Sequence, residues 1–185
     1  MARNTGIPLK YTRARLKHWA KLAGIDPAGS TFIFGPPGTT KSHLAAALAI
    51  HRLPHLIRGD WPQFRFSFAW RLVPGLLVEV RSTYRPDAPR TESDVIRSCV
   101  APELLVLDDL CAEKTSTASL ATIGLIVSQR EEAERQTIAT SNLTLEELDA
   151  LDPRLASRLG TFRLIGPDLL GSEDRRLAPD EPEPP

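Results

Sequence analysis

At 185 residues, with 42% apolar and 25% charged side chains, the chain has the length and composition of one globular domain with a substantial core. Its formal net charge is zero, so the whole molecule is no electrostatic magnet for DNA; Cys99 and Cys111 form no CxxC pair, which excludes zinc and disulfide frameworks as organising features and suits a reducing compartment. No apolar run approaches membrane-spanning length and the start lacks a signal-peptide core, so a cytoplasmic protein without membrane contact is expected.

The first predicted element is a helix over 12–23, where Leu16, Trp19, Ala20, Leu22 and Ala23 recur at helical spacing before Gly24 and Pro27. The charges from Arg3 to Lys21 are all basic (Arg3, Lys10, Arg13, Arg15, Lys17, Lys21), an arm able to touch a phosphate backbone. Thr31–Phe34 reads as a strand, followed by a Gly/Pro loop and a helix to about His51. Residues 53–61, with Pro54 and Gly59, read as irregular. Phe64, Phe66 and Phe68 alternate with Arg65 and Ser67, a strand with one aromatic face, read as core rather than as a base-stacking surface. Pro74 opens a helix through Tyr84, and after a loop over 85–93 a short helix runs through Val100. Glu103–Asp109 is an apolar strand ending in paired acids; 115–135 reads as a long helix and Thr137–Thr140 as a strand. Thr144-Leu145-Glu146-Glu147 matches a capping box, Asp152-Pro153 opens a last helix through Leu159, and Phe162–Ile165 closes the series. Strands alternating with helices predict an α/β fold, a three-layer α/β/α sandwich on a mainly parallel sheet. The expected division is a basic lead-in over 1–29, a core over 30–166 and a Pro- and acid-rich disordered tail over 167–185.

The chemistry concentrates at three strand ends, where parallel α/β sheets bind ligands. Gly35-Pro36-Pro37-Gly38-Thr39-Thr40-Lys41-Ser42 lies between a strand and a helix, in the register of a phosphate-binding P-loop. Successive backbone N–H groups and the helix start, including His43, form a concave donor site for phosphate oxygens. Lys41 is suited to the β- and γ-phosphates of ATP, and the Ser42 hydroxyl to Mg²⁺. Thr40 occupies the place where the pattern has Gly; a β-branched side chain there is expected to crowd the phosphates. Asp108 and Asp109 form a Walker B arrangement, Asp108 holding Mg²⁺ through its water shell and Asp109 orienting or deprotonating the attacking water. Ser141-Asn142 comes off the next strand at the same edge, where an Asn can bond the γ-phosphate and the water. Arg154 and Arg158 lie one helical turn apart on one face, suited to a neighbour's γ-phosphate.

These motifs, Lys41-Ser42-His43-Leu44-Ala45, Leu104–Leu110 with Ala112-Glu113-Lys114, Thr140-Ser141-Asn142-Leu143 and Arg154–Leu159, together with Ile7-Pro8, Tyr11 and Leu16 before the core, resemble the DnaC/IstB-like branch of the AAA+ ATPases over residues 7–166. The resemblance implies Asn142 as the sensor-1 residue and Arg158 as the arginine finger, with Arg154 beside it. It implies ATP and Mg²⁺ as cofactors, head-to-tail assembly into a ring or spiral, and partners among DNA, single-stranded above all, and a replicative helicase or a transposase. The leading expectation is a helicase loader in DNA replication; the alternatives are a transposition helper ATPase and a nucleotide-binding adaptor with little hydrolysis. Thr40, and Cys111 where many relatives have Gly, are the departures within the core.

Overall fold

The computed structural model describes residues 6–16, 29–57, 67–111 and 116–170. Five strands, β1 (Thr31–Phe34), β2 (Phe68–Leu72), β3 (Leu104–Leu110), β4 (Gln136–Ser141) and β5 (Arg163–Ile165), form a sheet of order β2-β3-β4-β1-β5, every neighbouring pair parallel. Between and after them run α1 (Lys41–Ile57), α2 (Val73–Ser82), α3 (Glu92–Val100), α4 (Thr117–Glu132), α5 (Leu145–Leu151), α6 (Pro153–Gly160) and α7 (Pro167–Leu170), with a 3-10 turn at Leu9–Tyr11. Among the described residues no helix is long and apolar enough to cross a membrane.

Alternation along the strands divides the interior in two. Phe32, Leu105, Leu107 and Ala139 face a core built with α2–α6, while Ile33, Leu104, Val106 and Ile138 face a second core built with α1, the lead-in residues Ile7 and Ala14, and Leu170 of α7. Both faces of the central strands are therefore buried, as an all-parallel sheet requires. Helix starts carry the chemistry their sequence promises. Thr144 and Glu147 form a reciprocal capping box, and Asp152 accepts from the backbone N–H groups of Arg154 and Leu155 at 3.0 and 3.1 Å. A second capping box, Thr91 with Asp94, starts α3.

Arg130, near the end of α4, is fully buried and binds four chain segments together. It donates to the carbonyls of Cys99 (2.9 Å) and Val100 (3.0 Å) at the end of α3 and of Pro102 (2.7 Å) just past it, to Glu103 and Gln136 ahead of β3 and in β4, and to the Thr137 hydroxyl (2.9 Å). Burial lowers its pKa to about 10, which leaves the guanidinium charged at neutral pH.

Several boundaries differ from those the sequence predicts. The described part of the predicted 12–23 helix is not α-helical: Thr12 and Arg13 form a turn and Ala14 and Arg15 are irregular, the preceding Leu9–Tyr11 being a single 3-10 turn; its residues from 17 on lie outside the described residues. α1 passes through Pro54 to Ile57. An interior proline costs about 3 kcal/mol, but Leu44, Leu48 and the Ala45–Ala47 run are fully buried, and one buried leucine recovers roughly 1.5–3 kcal/mol. The strand predicted from Phe64, Phe66 and Phe68 runs instead from Phe68 to Leu72; Phe64 and Phe66 lie outside the described residues. The core also continues past Gly166, because α7 buries Leu170 under the sheet; residues 171–185 lie outside the described residues.

Candidate functional site

β1 ends at Phe34 and the loop 35–40 turns back over its carboxyl end. Gly35 has φ 151°, and a Cβ there would lie 3.3 Å from Pro167 Cγ and 3.5 Å from Thr39 Oγ1. Its N–H donates to the Ser141 carbonyl at 3.2 Å, docking the loop on the end of β4. Gly38 is left-handed (φ 92°), a conformation glycine adopts without penalty. Pro36 and Pro37 form the exposed rim, and the buried Thr39 hydroxyl donates back to the Pro36 carbonyl at 2.8 Å. Lys41 is buried; its ammonium donates to the carbonyls of Gly35 (2.7 Å) and Pro36 (2.8 Å), holding the loop closed around its own side chain. His43, one residue into the helix from Ser42, stacks on Tyr11 of the lead-in with ring centroids 6.0 Å apart, and Tyr11 also meets Trp70 of β2.

Thr40 is the strained member. Its φ is 59°, in the left-handed region, which costs an L-residue roughly 1–2 kcal/mol and suits a β-branched one least. Its carbonyl accepts from Leu44 N–H at 2.9 Å, so Thr40 stands at the N-cap of α1. A capping threonine adopts extended backbone and offers its oxygen to the first-turn amides. Here the left-handed backbone prevents it, and the Thr40 hydroxyl is buried with no hydrogen-bond partner among the described residues. An unpaired buried hydroxyl costs about 1–3 kcal/mol.

The paired acids are reached through a bulge. Leu107 pairs with Ala139 but Leu110 with Ser141, so β3 carries one residue more than β4 across this interval. Consecutive residues of a regular strand point to opposite faces, and a bulge re-aims them. Asp109 takes φ 67° and Cys111 φ 59°. The N–H that the bulge removes from the ladder, that of Asp109, donates to the Thr140 hydroxyl at 2.9 Å; Thr140 in turn donates to Asp108 Oδ1 at 2.8 Å. Ser42 donates to the same Asp108 oxygen at 2.7 Å, joining the P-loop helix to β3. Ser42 and Asp108 thus present converging hard oxygens, the donor type that suits Mg²⁺. Burial, then the neighbouring Asp108 charge, pushes the Asp109 carboxyl above the usual aspartate range, while Lys41 pulls it the other way.

Asn142 follows β4 at this same edge. The Ser141 hydroxyl donates to the Leu110 carbonyl (3.1 Å) and accepts from Leu143 N–H (3.0 Å), fixing the turn that carries it. The arginines of α6 are elsewhere. Arg154 is exposed, and Arg158 donates to Glu131 of α4 at 2.6 Å. Glu131 borders a shallow cleft of about 330 Å³ lined by Ser30, Gln136 and Thr137, residues at the starts of β1 and β4. That is the amino edge of the sheet, a strand length (roughly 20 Å) from the P-loop. The fold therefore brings residues 35–43, 108–109 and 140–142 together and sets Arg158 at the far edge.

Two contributors are named in the sequence only as parts of motifs, without the roles the structure gives them. Thr140 holds both acids, yet within a buried strand its hydroxyl reads only as a β-propensity residue. Tyr11 supports the helix start through His43, and only its place in the lead-in marked it.

The fold is shared with proteins of replication. A DnaC helicase loader superposes with a TM-score of 0.64 at 20% identity, covering 86% of this chain and 99% of the other. DnaI gives 0.60 at 21% identity, covering 86% and 93%. A replication initiator DnaA bound to AMPPCP and single-stranded DNA gives 0.64 at 18% identity, covering 86% and 50%. The chain spans between 39% and 59% of the length of the replication initiation proteins it resembles, DnaA of Aquifex aeolicus and Thermotoga maritima among them. At these identities the likeness is one of fold. No curated protein sequence matches the chain. The model of the IstB-like ATP binding proteins matches residues 10–160, well over half of the chain, which belongs to that family.

Proposed function

We propose that this protein hydrolyses ATP and acts in DNA replication as a helicase loader of the DnaC/IstB-like type, assembling head-to-tail so that one protomer completes the site of the next. The observation that carries the reading is the 2.7 Å bond from Ser42 to Asp108, which joins a phosphate loop to a carboxylate pair. When bound, Mg²⁺ and ATP supply the γ-phosphoryl group and the charge that neutralises it.

The chain's own residues do the rest. The loop amides from Gly35 to Ser42 and the start of α1 at His43 cradle phosphate oxygens, and Lys41 sets a cation beside them. Ser42 and Asp108 hold the metal, Asp108 kept in place by Thr140. Asp109, its carboxyl raised by burial, lies beside them and orients or takes a proton from water. Asn142 reports on the phosphate at the same edge. Arg158, with Arg154 beside it, stands too far from its own P-loop to serve it, which supports a role in trans at a neighbour's phosphate. Such an interface is heterologous and forms a ring or an open spiral. The relatives of similar fold support partners in single-stranded DNA and a replicative helicase, and a cytoplasmic location. The helper ATPase of a transposase is the second reading, supported by the match to the IstB-like family.

The trans arrangement is tested by Arg158→Ala, expected to bind nucleotide near normally while losing hydrolysis. Mixed with Lys41→Ala chains, it should regain turnover, since an intact Arg158 then faces an intact P-loop. Unchanged hydrolysis by Arg158→Ala alone would sink the arrangement. Pull-down of helicase or transposase separates the two partner readings.

A further inference from the structure

Thr40 departs from the P-loop pattern, and the structure gives the departure a chemistry. At φ 59° it cannot cap α1 as a threonine ordinarily does, and its hydroxyl is buried without a partner among the described residues. The residue nevertheless stands at the head of α1, where first-turn amides face any bound anion. We infer that the Thr40 hydroxyl is a phosphate ligand, donating to an oxygen of the nucleotide's phosphate chain, and that Thr40 thereby sets nucleotide affinity where glycine would only make room. The inference rests on the reading of this loop as a nucleotide site.

Its physical content is a division between the two states. Without nucleotide, Thr40 carries a left-handed β-branched backbone and an unpaired hydroxyl, both unfavourable. With nucleotide, the hydroxyl gains a charged acceptor, and such bonds are stronger than neutral ones. Glycine would relieve the free protein of both burdens and lose the bond. If the side chain merely crowded the phosphates, glycine would tighten binding instead.

The experiment measures ATP and ADP affinity by calorimetry, and the melting temperature of the nucleotide-free protein, for the parent, Thr40→Gly, Thr40→Val, Thr40→Ser and Lys41→Ala. Thr40→Gly is expected to melt higher than the parent yet bind both nucleotides about 10-fold more weakly or worse, a tenfold change being one charge-assisted bond. Thr40→Val, which keeps the shape and removes the hydroxyl, should show the same weakening, and Thr40→Ser should stay within about threefold of the parent. Tighter binding by Thr40→Gly, or unaltered binding by Thr40→Val, overturns the inference provided Lys41→Ala abolishes binding. If Lys41→Ala binds as the parent does, the nucleotide site itself is misplaced and the inference falls with it.

Discussion

Replacing Thr140 by valine tests the bulge that carries the acids. Valine matches threonine in shape, so packing around this buried position is preserved and only the hydroxyl is lost. Two bonds go with it. The Asp109 N–H, already outside the ladder, loses its 2.9 Å acceptor, and Asp108 Oδ1 loses a 2.8 Å donor while keeping Ser42. An unpaired buried N–H costs about 1–3 kcal/mol and a hydrogen bond to a charged group is worth about 1.5–3 kcal/mol, so Thr140→Val should destabilise the nucleotide-free protein by about 3–5 kcal/mol. For a domain of this size that corresponds to a fall in Tm of roughly 6–20 °C. The assay is a circular-dichroism melt in EDTA, with urea unfolding as a second measure. Thr140→Ser, which restores the hydroxyl, should lie close to the parent. A valine variant melting within about 2 °C of the parent would refute the idea that this hydroxyl supports the bulge.

Arg130→Met should unfold the chain readily, losing about 3–5 kcal/mol, because several buried carbonyls lose their donor at once; Arg130→Lys should recover little, since an ammonium lacks the planar fork; urea titration measures both. Asp109→Asn should raise the melting temperature in EDTA at pH 7. The folded-state pKa of Asp109 is raised, so its contribution to stability is complete below the ordinary aspartate value of about 3.9 and is lost as pH rises through the raised one. The charge-dependent part of the gain should therefore shrink as pH is lowered toward that ordinary value, leaving a smaller, pH-independent part from the preference of Asn for a left-handed backbone. Melts at pH 4 and pH 7 check it.

Local signals carried far in this chain. β1, the P-loop and the start of α1, the strand ending in Asp108 and Asp109, the Thr144 capping box and the Asp152-Pro153 start are all set by neighbouring residues, and each stands within a residue or two of its predicted place. Where tertiary contacts override local preference, the sequence reads less well. Pro54 reads as a break, yet α1 continues because Leu44 to Ala49, ahead of it, are buried under the sheet. Pro167–Leu170 reads as the head of a polar tail, although Leu170 is core. In the site, residue types and order were legible while their linkage was not. Nothing in the letters signals that Asp109 turns left-handed, that a strand hydroxyl then takes up its N–H, or that Arg158 rests on Glu131 at the opposite edge.

The placement of the site in the sheet order has a thermodynamic consequence. Its segments, 35–43, 108–109 and 140–142, leave three adjacent strands, β1, β4 and β3, and two of the three junctions join residues 66 and 106 positions apart along the chain, Ser42 with Asp108 and Gly35 with Ser141. No smaller fragment holds the arrangement, so a ligand bound there has affinity for the fully docked sheet and essentially none for the unfolded chain. Every tenfold excess of ligand over its dissociation constant then adds about 1.4 kcal/mol to the stability of the whole core. In cells, nucleotide level and protein lifetime become linked quantities, and a variant weakened far from the loop can be rescued by whatever the loop binds.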